Sequence, residues 1–207
     1  MKNTIFCIGL FIIAIINSGC PKPCIEANYS FAVNSQISPD LDSVHLGDTI
    51  YLISSFPTKL TDQTTGTIID YNNSNNIGST LGVVKLIDGI YPGQDAVNDF
   101  NFISVIGVVY NDNSIPSPTK FQQLKFQQVN DMYEIKIGII PQKTGIYYLG
   151  IGDGLSNGLN KSSSCEKASF SITLNNTDQH LQYFLDWSPT ATLGDYEKPR
   201  AYFLKVY

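Results

Sequence analysis

The stretch Gly154-Leu155-Ser156-Asn157-Gly158 fits the pattern G-x-S-x-G, and Asp178 and His180 follow it in the order nucleophile, acid, base. A serine in this setting attacks an acyl carbon when its strand ends in a sharp turn and a helix begins at once, because the first N–H groups beyond the serine hold the developing oxyanion. Here the chain continues Gly158-Leu159-Asn160-Lys161-Ser162-Ser163-Ser164, a poor helix former, and Asp178 stands only two residues from His180. The motif therefore reads as a Gly/Asn-rich connection between strands. A small serine hydrolase using Ser156 is the alternative function.

Other chemistry is thinly supplied. Zinc wants three or four clustered N, S or O ligands, and the chain has two histidines, His45 and His180. Asp88, Asp95 and Asp99 lie close enough in sequence to gather around Ca²⁺, but no EF-hand loop frames them, and aspartate favours turns for its own reasons. There is no phosphate-binding glycine loop and no dinucleotide fingerprint. The expectation is no metal and no cofactor. Three aromatic residues stand among turn formers: Tyr91 in DGIYPG, Trp187 in LDWSP and Tyr196 in GDYEKP. Their flat, weakly hydrated faces suit a glycan or another envelope protein, and packing of loops onto the body is the competing role.

The N-terminus carries a different signal. After Lys2 comes an apolar run from Ile5 to Ile16 and then the small polar stretch Asn17, Ser18, Gly19. That run has the length of a signal h-region, about 7–15 residues, and falls short of the roughly 20 that a spanning helix needs. Ser18, Gly19 and Cys20, directly after the run, resemble the lipobox of bacterial lipoprotein precursors, with Asn17 where that family usually has an aliphatic residue. The resemblance implies cleavage before Cys20, a diacylglycerol on its thiol, and a mature chain anchored in the bacterial cell envelope, most simply at the outer membrane. It divides the chain into a signal peptide at 1–19, a lipidated stem at 20–27 stiffened by Pro21 and Pro23, and one β-sandwich domain at 28–207.

Cleavage would leave Cys20, Cys24 and Cys165. An odd count strands one thiol in an oxidising compartment, and acylation of Cys20 resolves it by leaving Cys24 and Cys165 as a pair. Such a disulfide would close a long loop, worth about 4.7 kcal/mol for roughly 100 residues in the chain-entropy model. Two unpaired thiols are the alternative. The spacing of CPKPC is not the Cys-x-x-Cys of a redox site, and no further Cys/His cluster completes a zinc shell.

Composition narrows the partners further. Thirteen Lys and Arg stand against 18 Asp and Glu, a net charge of −5 that becomes one unit more acidic when Lys2 is removed with the leader. Without a basic cluster the electrostatic attraction that dominates nucleic-acid binding is missing, so nucleic acid is excluded as a partner. Charged residues are only 15%, with Tyr, Phe, Ile, Asn, Ser and Thr in their place, a mixture that favours strands and turns. The sequons at Asn28, Asn72, Asn160 and Asn175 would be glycan acceptors in a eukaryotic secreted protein; beside a lipobox-like signal they read as by-products of an Asn-rich sequence.

Period-two alternation predicts a succession of about ten short strands, beginning with Tyr29, Phe31 and Val33 on one side of NYSFAV. KFQQLKFQQV and MYEIKIGII flank Asn130-Asp131 and predict a hairpin. One short helix is expected over Thr177 to Asp186, capped by Asn176 or Thr177, with Leu181, Phe184 and Leu185 on a shared face. No longer helical period occurs, which disfavours βαβ units and favours an antiparallel sandwich. In IIPQKTGIYYLGI, a strand ends at Pro141, Gly145 turns the chain and Tyr147 begins the next strand, which resembles the tyrosine corner of immunoglobulin-like sandwiches, where the phenol bonds back to the corner backbone. Leu149 occupies the place of the second cysteine of antibody domains, and Trp187 comes too late for their core tryptophan. The expected fold is thus an immunoglobulin-like, antiparallel β-sandwich in the architectural sense, with a closed lipocalin-like barrel as runner-up. The expected function is a non-catalytic binding or structural module of the cell envelope.

Overall fold

The computed structural model describes residues 28–74, 76–88, 90–111, 120–156 and 166–207; Cys20, Cys24, Cys165 and the Asn157-Gly158 half of the G-x-S-x-G stretch lie outside the described residues. Its longest strands are those in which apolar residues alternate. β1 (Asn28–Ser38) turns Phe31, Val33 and Ile37 inward, and β3 (Ile50–Pro57) turns Ile50, Leu52 and Phe56. β12 (Met132–Pro141) contributes Tyr133, Ile135, Ile137 and Ile139, and β15 (Lys167–Leu174) contributes Phe170, Ile172 and Leu174. A strand places every second side chain on one face, so these four, in the order β12, β3, β1, β15, form a leaf with one apolar side. The opposing leaf runs β6 (Gly78–Ile87), β13 (Gly145–Ile151), β16 (Ala201–Val206) and β2 (Ser43–Val44). It supplies Leu81, Val83, Tyr147, Leu149 and Leu204 to the same core. The result is a β-sandwich.

Strands that change partners join the leaves. β8 (Phe100–Ile106) pairs with β12, the chain bends at Gly107, and β9 (Val108–Tyr110) then pairs with β10 (Phe121–Lys125), which pairs with β6. Gly107 has φ +79°, and a Cβ there would stand 2.5 Å from the Lys125 carbonyl oxygen, so the bend needs glycine. The segment KFQQLKFQQV, read as one strand, divides in the same way at the buried Phe126 into β10 and β11 (Gln127–Val129), the latter paired with β12. At the other edge β14 (Gly154–Ser156) bonds to β15 and, at Leu155, to Gly78 of β6. Hydrogen bonding at this end can be followed around the molecule, from β12 through β3, β1, β15, β14 and β6 to the β10–β11 strand and back to β12. The sandwich is sealed there in the manner of a barrel.

The sheet is mixed rather than antiparallel. β1 and β15 run parallel from Asn28 beside Lys167 to Ser35 beside Leu174, and β16 and β2 are also parallel. Parallel neighbours need a long crossover, and here β2, β6 and β13 of the opposing leaf are laid down between β1 and β15, with β16 following. The expected hairpin is present: Val129 pairs with Met132 around Asn130, which adopts φ +54°.

The helix begins later than expected, as α1 (Gln182–Trp187). The Asp178 carboxylate accepts the His180 N–H at 2.7 Å, and His180 takes φ +54°, a conformation no helix continues through. Asn176 is no cap either. Its amide bonds both the N–H and the carbonyl of Ile37, at 2.8 and 2.9 Å, fastening this segment to β1. Of the apolar face expected on the helix only Phe184 is buried, while Leu181 and Leu185 are exposed.

Tyr147 behaves as a corner tyrosine. Its hydroxyl faces the Lys143 carbonyl and the Asp99 carboxylate, each at 3.1 Å, and its ring meets Phe100 edge-on at 4.8 Å. Burial, reinforced by the Asp99 charge, pushes its phenol well above the ordinary value.

Candidate functional site

The outer face of β6 is where the fold leaves room. Ser79, Leu81 and Val83 point into the sandwich, so Gly78, Thr80, Gly82, Val84 and Leu86 point out. Three adjoining depressions run along this row. One of about 660 Å³ includes Gly78 and Thr80, one of about 300 Å³ includes Thr80 and Gly82, and one of about 310 Å³ includes Val84 and Leu86. The eight residue steps span about 26 Å at ~3.3 Å per residue.

The floor is low because glycines recur on the outward positions. On β13 and just beyond it, Gly150 and Gly152 stand beside β6, and the Tyr148 ring lies along its own strand over Gly150. A Cβ at Gly150 would meet the Tyr148 hydroxyl at 2.5 Å, and one at Gly152 would collide with the Thr80 hydroxyl. Glycine inside a strand commonly marks a close approach of this kind.

The middle of the row has a polar wall built around Arg200. It is buried at the end of the short turn of 3₁₀ helix Lys198–Arg200. Its guanidinium bonds Asp153 at 2.8 Å, the Ser171 hydroxyl at 2.9 Å and the Tyr196 carbonyl at 2.7 Å. The Tyr196 ring lies 4.0 Å from the same guanidinium, face-on, while the residue as a whole stays 53% exposed. One ring face is therefore held by Arg200 and the other is open to solvent. Burial and the nearby Asp153 charge raise the Tyr196 phenol above its ordinary value.

The three sequence-predicted aromatics separate in this frame. Tyr196 borders the middle depression, Trp187 lines the apolar one, and the backbone of Tyr91 lies in β7 (Ile90–Asp95), the strand paired with β6 on that side. Trp187 is also structural, since its indole N–H bonds the Ile87 carbonyl at 2.9 Å. Sequence reasoning missed Arg200, Asp153, Tyr148 and the glycine row. The available signal was the recurrence of glycine within apolar strands, at Gly78, Gly82, Gly150 and Gly152.

Ser156 is buried at the end of β14. Its described bonds go to the Tyr71 hydroxyl at 3.0 Å and to Ser74 at 2.6 Å, and Tyr133 extends this network to the Tyr71 carbonyl at 2.7 Å. His180 belongs to another group, with Tyr202 at 3.3 Å and the carboxylates of Asp40 and Asp178 at 3.4 and 3.6 Å. Nor are the three loop aspartates drawn together: Asp99 is held by Lys143 at 2.6 Å, and no group of three or more His, Cys, Asp or Glu suited to a metal occurs among the described residues. No helix among the described residues is long and apolar enough to cross a membrane.

No family model matches the chain, and no curated protein matches it. Among solved structures, two of the human F-spondin reeler domain are similar at 11% and 10% identity with TM-scores of 0.31 and 0.32, covering 70% and 72% of this chain and 88% of theirs. The CupB6 tip adhesin from Pseudomonas aeruginosa is similar at 13% identity with a TM-score of 0.19, over 75% of this chain and 44% of that one.

Proposed function

We propose that the protein is a lipid-anchored component of the bacterial cell envelope whose immunoglobulin-like sandwich acts without catalysis, binding an extended glycan along the outer face of β6. The observation that carries the glycan reading is Tyr196: an exposed aromatic face, fixed from behind by Arg200, beside polar side chains in an open, glycine-floored row. Sugars present an apolar face to stack and a rim of hydroxyls to bond, and the middle depression offers Thr80 and Lys120 next to the Tyr196 platform. A fixed ring loses little freedom on binding.

The anchor rests on Cys20, as the lipobox resemblance implies, and two acyl chains or more hold a protein firmly where one binds reversibly. The Cys24–Cys165 bridge has support from register: Asn28 lies beside Lys167 on parallel strands, and the cysteines precede these two residues by four and two positions. Non-reducing intact mass spectrometry of membrane-extracted protein should give the acyl mass on Cys20 and a mass two hydrogen atoms short for the bridge. An unmodified, fully reduced chain beginning at Met1 would overturn both assignments.

For the glycan, the full chain in detergent should be retained on an insoluble polysaccharide, and Tyr196→Ala should reduce retention at least tenfold with the melting temperature unchanged. Retention that ignores this substitution removes the proposal.

A further inference from the structure

We infer that the apolar depression at the Leu86 end of the row is a binding site for a compact organic cation, an alkylated ammonium group of the choline type. The site lies between the outer face of the second leaf and the segment containing α1. Tyr148 and Trp187 line it with partly exposed rings, Phe184 and Phe203 stand behind them at 5% and 0% exposure, and Glu197 supplies the only charge among the described lining residues. The rings form a continuous chain: Tyr148 to Phe203 at 5.5 Å, Phe203 to Phe184 at 5.7 Å, and Phe184 to Trp187 at 5.9 Å between centroids. The volume, about 310 Å³, is at the small end for ligand pockets and fits a headgroup rather than a long chain.

Charge decides between a cation and a neutral apolar occupant. Ring faces are electron-rich, and a cation over them is attracted by the ring quadrupole, the more strongly the less water stands between. No basic residue among the described ones lines the depression. The cations nearest in sequence are engaged elsewhere, Arg200 with Asp153 and Lys198 with Asp195, and Glu197 has no ion pair among the described residues. Its carboxylate lies against Gly194, where a side chain would displace it from the rim. Hydrated ammonium or metal ions would keep their water shell and find no use for the Tyr148 and Trp187 rings. An alkylated ammonium ion carries its charge on an apolar surface and satisfies both rings and carboxylate. Trp187 is held in place by its bond to the Ile87 carbonyl, so the cage does not have to assemble around the ligand.

The two sites share Tyr148 and Glu197 but can be told apart, because Trp187 lines only this depression, Tyr196 only the middle one, and the probes differ. Trp187 is the only tryptophan in the chain, so its fluorescence reports this site alone. Titrating the full chain with choline should change Trp187 emission saturably. The neutral isostere 3,3-dimethylbutan-1-ol, with carbon in place of the ammonium nitrogen, should bind at least tenfold more weakly. Glu197→Gln, at an exposed position that leaves the fold intact, should weaken choline about three- to tenfold and leave the isostere unchanged, with calorimetry as the second readout. An unsaturable response, equal affinity for the isostere, or a Glu197→Gln variant that binds choline as well as the parent would each overturn the inference.

Discussion

β6 has two faces, and they do different work. Its inward side chains, Ser79, Leu81 and Val83, are buried in the interior of the sandwich, whereas its outward ones, Gly78, Thr80, Gly82, Val84 and Leu86, floor an open row. Residues one step apart along a single strand thus belong either to stability or to access. Substitutions at adjacent positions should therefore have unrelated effects, and this separation can be attacked directly.

The largest effect belongs to the inner face. Leu81 is 1% exposed, and Leu81→Ala should cost about 2–5 kcal/mol in denaturant unfolding, by lost burial and the cavity left behind. A loss under 1 kcal/mol would mean that the two faces are less distinct than their burial suggests. A second test lies at the edge of the first leaf, where the Asp62 carboxylate accepts the Ser30 N–H at 2.9 Å, the Thr65 hydroxyl at 2.7 Å and the Thr65 N–H at 3.0 Å. These bonds, the one from Ser30 foremost, hold its pKa below the ordinary value. A carboxyl lowered in the folded state stabilises fully above its unfolded pKa, about 3.9, and that contribution fades as pH falls through the lowered folded value. Asp62→Asn should flatten the acid side of the stability profile and leave its neutral-to-alkaline shape alone. The smallest effect on stability comes from the outer face. At Gly82 a Cβ would meet nothing nearer than the Gly150 carbonyl at 3.6 Å, so Gly82→Val should move stability by no more than about 1 kcal/mol, with the gain in strand propensity opposing any crowding. The same change should abolish polysaccharide retention by filling the floor. Loss of stability without loss of retention would invert the comparison.

What the sequence made legible was whatever depends on neighbours along the chain. Alternation marked β1 and β12, Asn130 marked the hairpin, and the interval from Pro141 to Tyr147 marked a corner whose phenol does bond back to the Lys143 carbonyl. Distant pairing left no local trace. The parallel register of β1 with β15, the bends at Gly107 and Phe126, and the placement of Arg200 against Asp153 depend on residues far apart in the chain, each with a sequence context suited to other roles. The helix start failed for a local reason that periodicity does not see: Asp178 and Asn176 each had a competing backbone partner. Among the site residues Tyr196 and Trp187 were visible as aromatics amid turn formers, but that they border separate depressions follows only from where β6 and the C-terminal segment meet.

The parallel pairing of β1 with β15 bears on the order of events during synthesis. The first long strand is flanked by β3 on one side, and on the other by a strand made only after β3, β6, β12 and β13. Until Lys167 to Leu174 exist, β1 has an unfilled edge and the inner face of its leaf is incomplete. Contacts so far apart in the chain make folding late and slow. A leaf built this way closes only when the earliest and latest of its strands meet, so the chain between them is committed late to a compact form.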